Sequence, residues 1–260
     1  MRHQRQFRQA ARRASAAALL AAAAALAFAP VPVSAQTVGE IPYVDAVDAW
    51  ADAQSLRRTL PSSGDRAVTK PSKAKRGKRP RKPTARQLAS LRFERSEEVT
   101  RQNDQAVMAL LEPGYDPAAV VAEFDRLRAV VHDGIRGWKG RWRPSNLADV
   151  AAYTLLSSYA VYYAKPSVSA RGSLAVRRAA RSGMALNRQV RRLSDGRKQT
   201  AAEMLELRTI FRLSDVNLAR MQGDATREQA AEARLRAWIK DAFGIDLERV
   251  RLSRKGLVRR

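Results

Sequence analysis

The spacing of hydrophobic and polar positions predicts helices over most of the chain after about residue 96. The clearest stretch is Asn146–Lys165, in which the fifteen residues between Asp149 and Lys165 carry no charge. Its large side chains surround the helix axis, and a helix that is apolar all round is buried all round. A bilayer core needs roughly 20 apolar residues. The stretch therefore predicts the central helix of a bundle and not a membrane span.

Two polar residues mark the start of this central helix. The side chain of Asn146 can accept a hydrogen bond from a first-turn amide, and Asp149 can accept one from the Asn146 amide in return. Pro144 disfavours an earlier start. We therefore predict that Asn146 and Asp149 form a structural cap of the capping-box type.

Other segments repeat apolar residues at helical spacing, and turn or cap residues bound them. Ser96 predicts a hydroxyl cap, Asp116 a cap followed by proline, and Thr226 with Gln229 a capping box. An Asp195-Gly196 turn is expected before the fifth helix. The predicted ranges are about 96–111, 116–134, 169–193, 197–222 and 227–243, with glycines 134, 223 and 244 at three of the ends. Short extended segments are expected near 91–93 and 250–252. The predicted fold is all-α, a single bundle of about six helices.

The first 35 residues have the pattern of a secretory signal peptide. A basic start is followed by an Ala/Leu run and by small residues at Val33 and Ala35, which predicts cleavage after Ala35. The protein is therefore predicted to be exported, to the periplasm or out of the cell.

A basic run at 70–82 dominates the segment that follows the predicted cleavage site. It holds eight cations, two prolines and no acid, and such a run repels itself and buries little. We predict a disordered arm over 36–83, a helical domain over 84–257 and a basic tail over 258–260. The run is interpreted as a solvated tether, or alternatively as an attachment to an anionic surface.

Charge and cysteine content narrow the function classes. The formal net charge is +24, and removal of the five arginines of the predicted signal peptide leaves +19. Acidic partners are expected. The chain has no cysteine, which excludes disulfides, thiol catalysis and the common zinc-finger ligand sets.

Two sets of residues are candidates for ligand binding. In the predicted 169–193 helix, six arginines share an arc opposite an apolar one, which is typical of an anion-binding or membrane-surface helix; the alternative is a face that only keeps the helix soluble. Trp138 and Trp142 alternate with cations and could stack on a sugar or a base, or could pack over the end of the bundle. The six candidate anion-binding residues are Arg177, Arg178, Arg181, Arg188, Arg191 and Arg192.

No residue pattern of a known catalytic or cofactor site is found. His132 is the single histidine after the predicted cleavage site, and no nucleophile elbow or phosphate-binding loop is present. The acid pairs at 97/98 and 203/206 are interpreted as helix-start and surface residues. We predict no catalytic residue, no metal site and no cofactor.

Three groups of residues resemble a known family. They are Leu91-Arg92-Phe93 with Ser96 and Val99, Asn146-Leu147-Ala148-Asp149 with Ser158-Tyr159, and Phe243-Gly244-Ile245-Asp246-Leu247 with Arg251-Leu252 and Gly256-Leu257. Over about 88–257 the chain is similar to secreted bacterial helical proteins that carry a domain of unknown function. The resemblance implies export and a helical fold, but no reaction and no ligand. The run 70–82 lies outside it.

Three functional hypotheses follow. The first is a non-enzymatic exported module whose basic surface contacts an anionic envelope polymer, a lipid surface or a partner protein. The second is an envelope-polymer hydrolase with a cleft near Trp138, Trp142 and Tyr153. The third is a nucleic-acid-binding protein, which the charge favours and the signal peptide opposes.

Overall fold

A computed structural model describes residues 82–109, 116–138, 140–165 and 168–260. The predicted signal peptide and nearly all of the predicted arm lie outside these residues. Within them the chain forms eight α-helices, one 3-10 turn and one two-stranded hairpin, so the all-α prediction is confirmed. No described helix combines the length and the apolar character needed to cross a membrane.

The helices and strands follow one another in chain order. They are α1 (Ala85–Ala89), α2 (Glu97–Met108), α3 (Pro117–Gly137), α4 (Leu147–Tyr162), α5 (Ala170–Leu186), α6 (Arg188–Arg191), α7 (Asp195–Gln222), α8 (Ala225–Phe243), β1 (Val250–Ser253) and β2 (Gly256–Arg259).

Two helices share the centre of the bundle. Helix α4 contacts α3, α5, α7 and α8, and residues such as Leu147, Val150 and Leu156 on different sides of it are fully buried. Helix α7 contacts α2, α3, α4 and α8. With 28 residues it is about 42 Å long at 1.5 Å per residue, long enough to reach all four. The apolar helix is central as predicted, with α7 beside it.

Several helix ends differ from the predicted ones. Helix α3 continues past Gly134 to Gly137. Gly134 instead allows close packing against α4, since a Cβ there would collide with the hydroxyl of Tyr153. The predicted 169–193 helix is broken at Asn187. The Asn187 side chain accepts hydrogen bonds from the amides of Gln189 and Val190 and so caps the start of α6. The glycines at 223 and 244 do end their helices, in the left-handed conformation.

Two helix starts differ from the predicted ones, and a third lacks the predicted capping bond. The Ser96 hydroxyl makes no capping bond; instead the Ser96 amide donates to Gln199 Oε1 at 2.7 Å. The predicted turn at Asp195 is wrong, because Ser194 caps α7 one residue earlier. Helix α8 is capped by Asp224 and not by Thr226. A carboxylate is at least as good a cap as a hydroxyl and also suits the positive helix end.

Both predicted extended segments are present. Arg92 forms an isolated antiparallel bridge with Asn146, which joins the chain before α2 to the start of α4. Strands β1 and β2 pair antiparallel with Val250 opposite Arg259, so the predicted basic tail overlaps β2. The hairpin lies against α5.

Candidate functional site

A buried carboxylate at the start of α4 binds two arginines of α5. Both oxygens of Asp149, which is fully buried, accept hydrogen bonds from Arg177 and from Arg181, and all four distances are 2.8 Å. The Arg143 amide adds a fifth bond at 3.0 Å. Two parallel N–H···O bonds per guanidinium are the strong, charge-assisted geometry. We call these three charged side chains the Asp149 network.

Arg177 also holds the chain that connects α3 to α4. Its Nη2 donates to the carbonyl of Arg141 at 2.9 Å, and its Nη1 donates to the carbonyl of Gly140. The guanidinium lies 5.1 Å from the ring centroid of Trp142. One buried side chain thus fixes both the carboxylate at the helix start and the loop before it.

The charge balance of the Asp149 network favours the ionised carboxylate. Burial alone would raise the pKa of Asp149, but hydrogen bonds from Arg177 and Arg181 outweigh burial and hold its pKa below the ordinary value. One carboxylate faces two guanidinium groups, so the network has one positive charge in excess.

A second network surrounds two buried glutamates of α7. Glu203 and Glu206 are 0% and 1% exposed. Glu203 accepts hydrogen bonds from Thr100 and Asn103, both at 2.6 Å, and from Gln199 at 2.9 Å. Every one of these donors belongs to α2 or α7, so the carboxylate joins the two helices.

Arg95 and His132 complete this second network. Arg95 donates to Glu203 at 3.3 Å and to Glu206, and its Nη2 also donates to the Pro144 carbonyl at 3.2 Å. His132 Nε2 lies 3.2 Å from Glu206. Arg95 thus also contacts the α3–α4 connection, at Pro144. We call the set the Glu203 network.

A third buried carboxylate lies next to the Glu203 network. Asp104 of α2 pairs with Arg128 of α3, whose Nη1 donates to it at 3.1 Å. Burial raises the pKa of Asp104, and the charge of nearby Glu203 acts in the same direction, against the hydrogen bond from Arg128. Among the described residues, the ion pairs of Asp104, Glu203 and Glu206 with arginine are made by Arg95 and Arg128, so acids are in excess here.

The predicted cap at the start of α4 is only half present. The Asn146 side chain accepts hydrogen bonds from the amides of Ala148 at 3.1 Å and Asp149 at 3.2 Å, as an N-cap does. The predicted return bond is wrong: the Asn146 amide donates to the Arg143 carbonyl. The Asp149 carboxylate cannot serve it because five other donors occupy its oxygens.

The candidate anion-binding arginines fall into two groups. Arg177 is buried and Arg181 is partly covered, and both bind Asp149, so their predicted position on a solvent-facing arc is wrong. The reason is that α5 lies between α4 and the hairpin, which cover more of it than one stripe. Arg191 is partly buried, and Arg178, Arg188 and Arg192 are exposed.

The candidate stacking residues belong to an aromatic cluster. Trp142 is 3% exposed and Trp138 is partly buried, with ring centroids 5.2 Å apart; Tyr153 lies 6.1 Å from Trp138. Trp142 therefore offers no free face to a sugar or base.

The interpretation of the 203/206 pair as surface acids is wrong. The apolar residues Met204, Leu205 and Leu207 that surround the pair are all buried, and this run was the signal in the sequence that the acids face inward. In the described part of the chain no group of three or more acids and histidines could hold a metal ion.

The sequence matches a family of unknown function, DUF6683, over residues 8–260. The chain belongs to this family. The match confirms the resemblance to a domain of unknown function. It also runs through residues 70–82, so placing that run outside the family was wrong. Neither the curated proteins nor the solved structures contain a match.

This DUF6683 chain brings two distant basic segments together. Residues 165–194 and 249–260 contain no acid, and the hairpin formed by the second segment lies on α5 of the first. A Cβ at Gly172 would be 2.9 Å from the Ser253 carbonyl, and one at Gly256 would be 3.5 Å from the Val176 amide nitrogen. The hairpin tip, Arg254 and Lys255, therefore lies over the first turns of α5.

The exposed cations of α5, of α6 with its C-cap residue, and of the hairpin are called the basic region. Among the described residues none of them forms an ion pair with an acid, whereas the exposed Arg101 pairs with Glu98. The basic region consists of Arg171, Arg178, Arg188, Arg192, Arg251, Arg254, Lys255 and Arg259. The hairpin cations were recognised in the sequence as basic, but nothing local predicted that they would join α5.

Proposed function

We propose that this protein is an exported, non-enzymatic module that binds anionic components of the bacterial envelope through the basic region. The observation that carries the proposal is the packing of two acid-free basic segments against each other. Unpaired like charges on neighbouring elements repel, and a bound polyanion relieves that repulsion. The positive electrostatic field of these charges also attracts anions from a distance, over a screening length of about 10 Å at 0.1 M salt.

The arginines of the Asp149 and Glu203 networks are already paired, so we assign binding of the external anion to the exposed cations of the basic region. Arg95, Arg177 and Arg181 are engaged by Asp149, Glu203 and Glu206, and the oxygens of these carboxylates already have partners. These networks act on the stability of the bundle, and the exposed cations are the groups that an external anion can reach.

Binding is tested with a charge-removing variant that carries Arg171→Gln, Arg178→Gln and Arg254→Gln. A matched control removes three exposed arginines outside the basic region, at positions 101, 136 and 234. We expect retention on an anionic polysaccharide column to fall strongly in the first variant and little in the control, and to fall for the wild type as salt rises. Equal retention of both variants, or retention independent of salt, would contradict the proposal.

Export is tested by the intact mass of the native protein in cytosolic, periplasmic and medium fractions. The proposal expects a species that begins at Gln36 outside the cytosol. A cytosolic species that begins at Met1 would contradict export and make nucleic acid the leading partner, because any protein this basic attracts nucleic acid.

A further inference from the structure

We infer that the basic region binds a polymer with repeated phosphate or carboxylate groups. Each guanidinium group of the region donates two hydrogen bonds to two oxygens of one such group. The inference rests on the proposed function and names the ligand class. The shared chemistry is an oxyanion with two free oxygens, and the source to which we commit is a soluble or wall-bound polymer and not a lipid bilayer.

The choice of cation in two parts of the chain supports guanidinium chemistry. The basic region holds seven arginines and one lysine, whereas the run 70–82 holds five of the ten lysines in the whole sequence. The predicted tether thus mixes five lysines with three arginines, whereas the basic region is almost entirely arginine. Arginine presents a planar fork of donors that matches carboxylate and phosphate, whereas lysine acts as a point charge.

Regular structure fixes the backbone positions of these arginines. The Ser253 hydroxyl accepts a hydrogen bond from the Lys255 amide and donates one to the Gly256 carbonyl, both at 3.0 Å, which fixes the hairpin tip. Along α5, Arg171 and Arg178 are separated by about 10 Å at 1.5 Å per residue. Successive charged groups of a polymer can therefore meet Arg171 and Arg178 one after the other.

The apolar surface argues against a lipid bilayer. Peripheral helices that bind membranes insert an apolar face beside their basic one. Among the described residues the exposed large hydrophobic side chains are Leu186 and Met221. Only Leu186, at the end of α5, adjoins the basic region, so this surface has no apolar face to insert.

A charge-retaining variant tests the inference. It carries Arg171→Lys, Arg178→Lys and Arg254→Lys, and its control carries lysine at positions 101, 136 and 234. The probes are inorganic polyphosphate and polygalacturonate, with binding measured by titration calorimetry at fixed salt. We expect the first variant to bind at least one of the probes about tenfold more weakly than the wild type, and the control to bind as the wild type does.

The outcomes separate the inference from the proposed function. If the lysine variant binds both probes within twofold of the wild type while the corresponding glutamine variant loses binding, the inference is wrong and the proposed function stands. If neither variant loses binding, the inference and the proposed function are both wrong.

Vesicles of phosphatidylglycerol and phosphatidylcholine test the alternative of a lipid surface. Tighter binding to these vesicles than to either polymer would overturn the choice of a polymer. All three positions are exposed, and unchanged thermal unfolding verifies that the variants fold.

Discussion

The two buried networks of this bundle hold the same loop with opposite charge balances. Arg177 of α5 donates to the Gly140 and Arg141 carbonyls, and Arg95, in the segment before α2, donates to the Pro144 carbonyl. The Asp149 network has two arginines for one carboxylate. The Glu203 network, with the adjoining Asp104 and Arg128, has three carboxylates for two arginines.

This difference separates two ways of burying charge. Removing an ion from water costs several kcal/mol, and only close opposite charges and hydrogen bonds offset that cost. Asp149 receives four charged hydrogen bonds, so its ionised form is stabilised. Glu203 depends largely on neutral donors, the Thr100 hydroxyl and the amides of Asn103 and Gln199. The stability of the Asp149 network should therefore fall when its carboxylate loses its charge. The stability of the Glu203 network should fall mainly when packing or hydrogen bonds are lost.

The largest expected effect is that of Asp149→Asn. The substitution keeps the shape of the side chain but leaves the buried Arg177 without its counter-charge, and such unpaired charges cost about 3–5 kcal/mol. Urea unfolding should show this loss in the free energy of unfolding. Asp133→Asn is the matched control, because Asp133 forms an exposed pair with Arg136, and it should change stability little. Equal stability of the two variants would show that Asp149 does not anchor the loop.

Glu206→Gln should cost less, about 1–2 kcal/mol. The amide oxygen can still accept from Arg95 and the amide nitrogen can donate to His132, while one charge is removed from a network in which acids are in excess. The measurement is the same urea titration. A loss as large as that of Asp149→Asn would contradict the difference drawn between the two networks.

The contributions of Asp149 and Asp104 to stability should depend on pH with opposite signs. The pKa of Asp149 is lowered on folding, so its contribution is present above the ordinary value of 3.8 and is lost as pH falls through the lowered pKa. The pKa of Asp104 is raised, so its contribution is present below 3.8 and is lost as pH rises through the raised pKa.

Unfolding measured from acid to neutral pH checks this difference. The stability gap between the wild type and Asp149→Asn should narrow on acidification below 3.8. The gap between the wild type and Asp104→Asn should instead narrow as pH rises above 3.8. Parallel pH profiles for the two variants would refute the opposite directions of the pKa shifts of Asp149 and Asp104.

The features that could be predicted from the sequence are those that depend on residues close together along the chain. The apolar stretch after Asn146 specified a buried helix, and Gly223 and Gly244 end helices because they accept a left-handed backbone. The inward positions of Arg177 and Glu203 were not predicted. Helical spacing tells which residues share a face, but it does not tell whether that face meets a partner such as Asp149, 28 residues away, or Arg95, 108 residues away.

The smallest expected effect is that of Asn146→Ala, at the start of the helix that both networks adjoin. The side chain of Asn146 caps two amides, and loss of such a cap costs about 1 kcal/mol. Thermal unfolding should register it, with Asn187→Ala at the start of the four-residue helix α6 as the comparison. Because α4 is central and α6 is peripheral, the first substitution should lower the unfolding temperature more than the second. The reverse order would mean that the arginines bound to Asp149 and Glu206 fix the start of α4 without its cap.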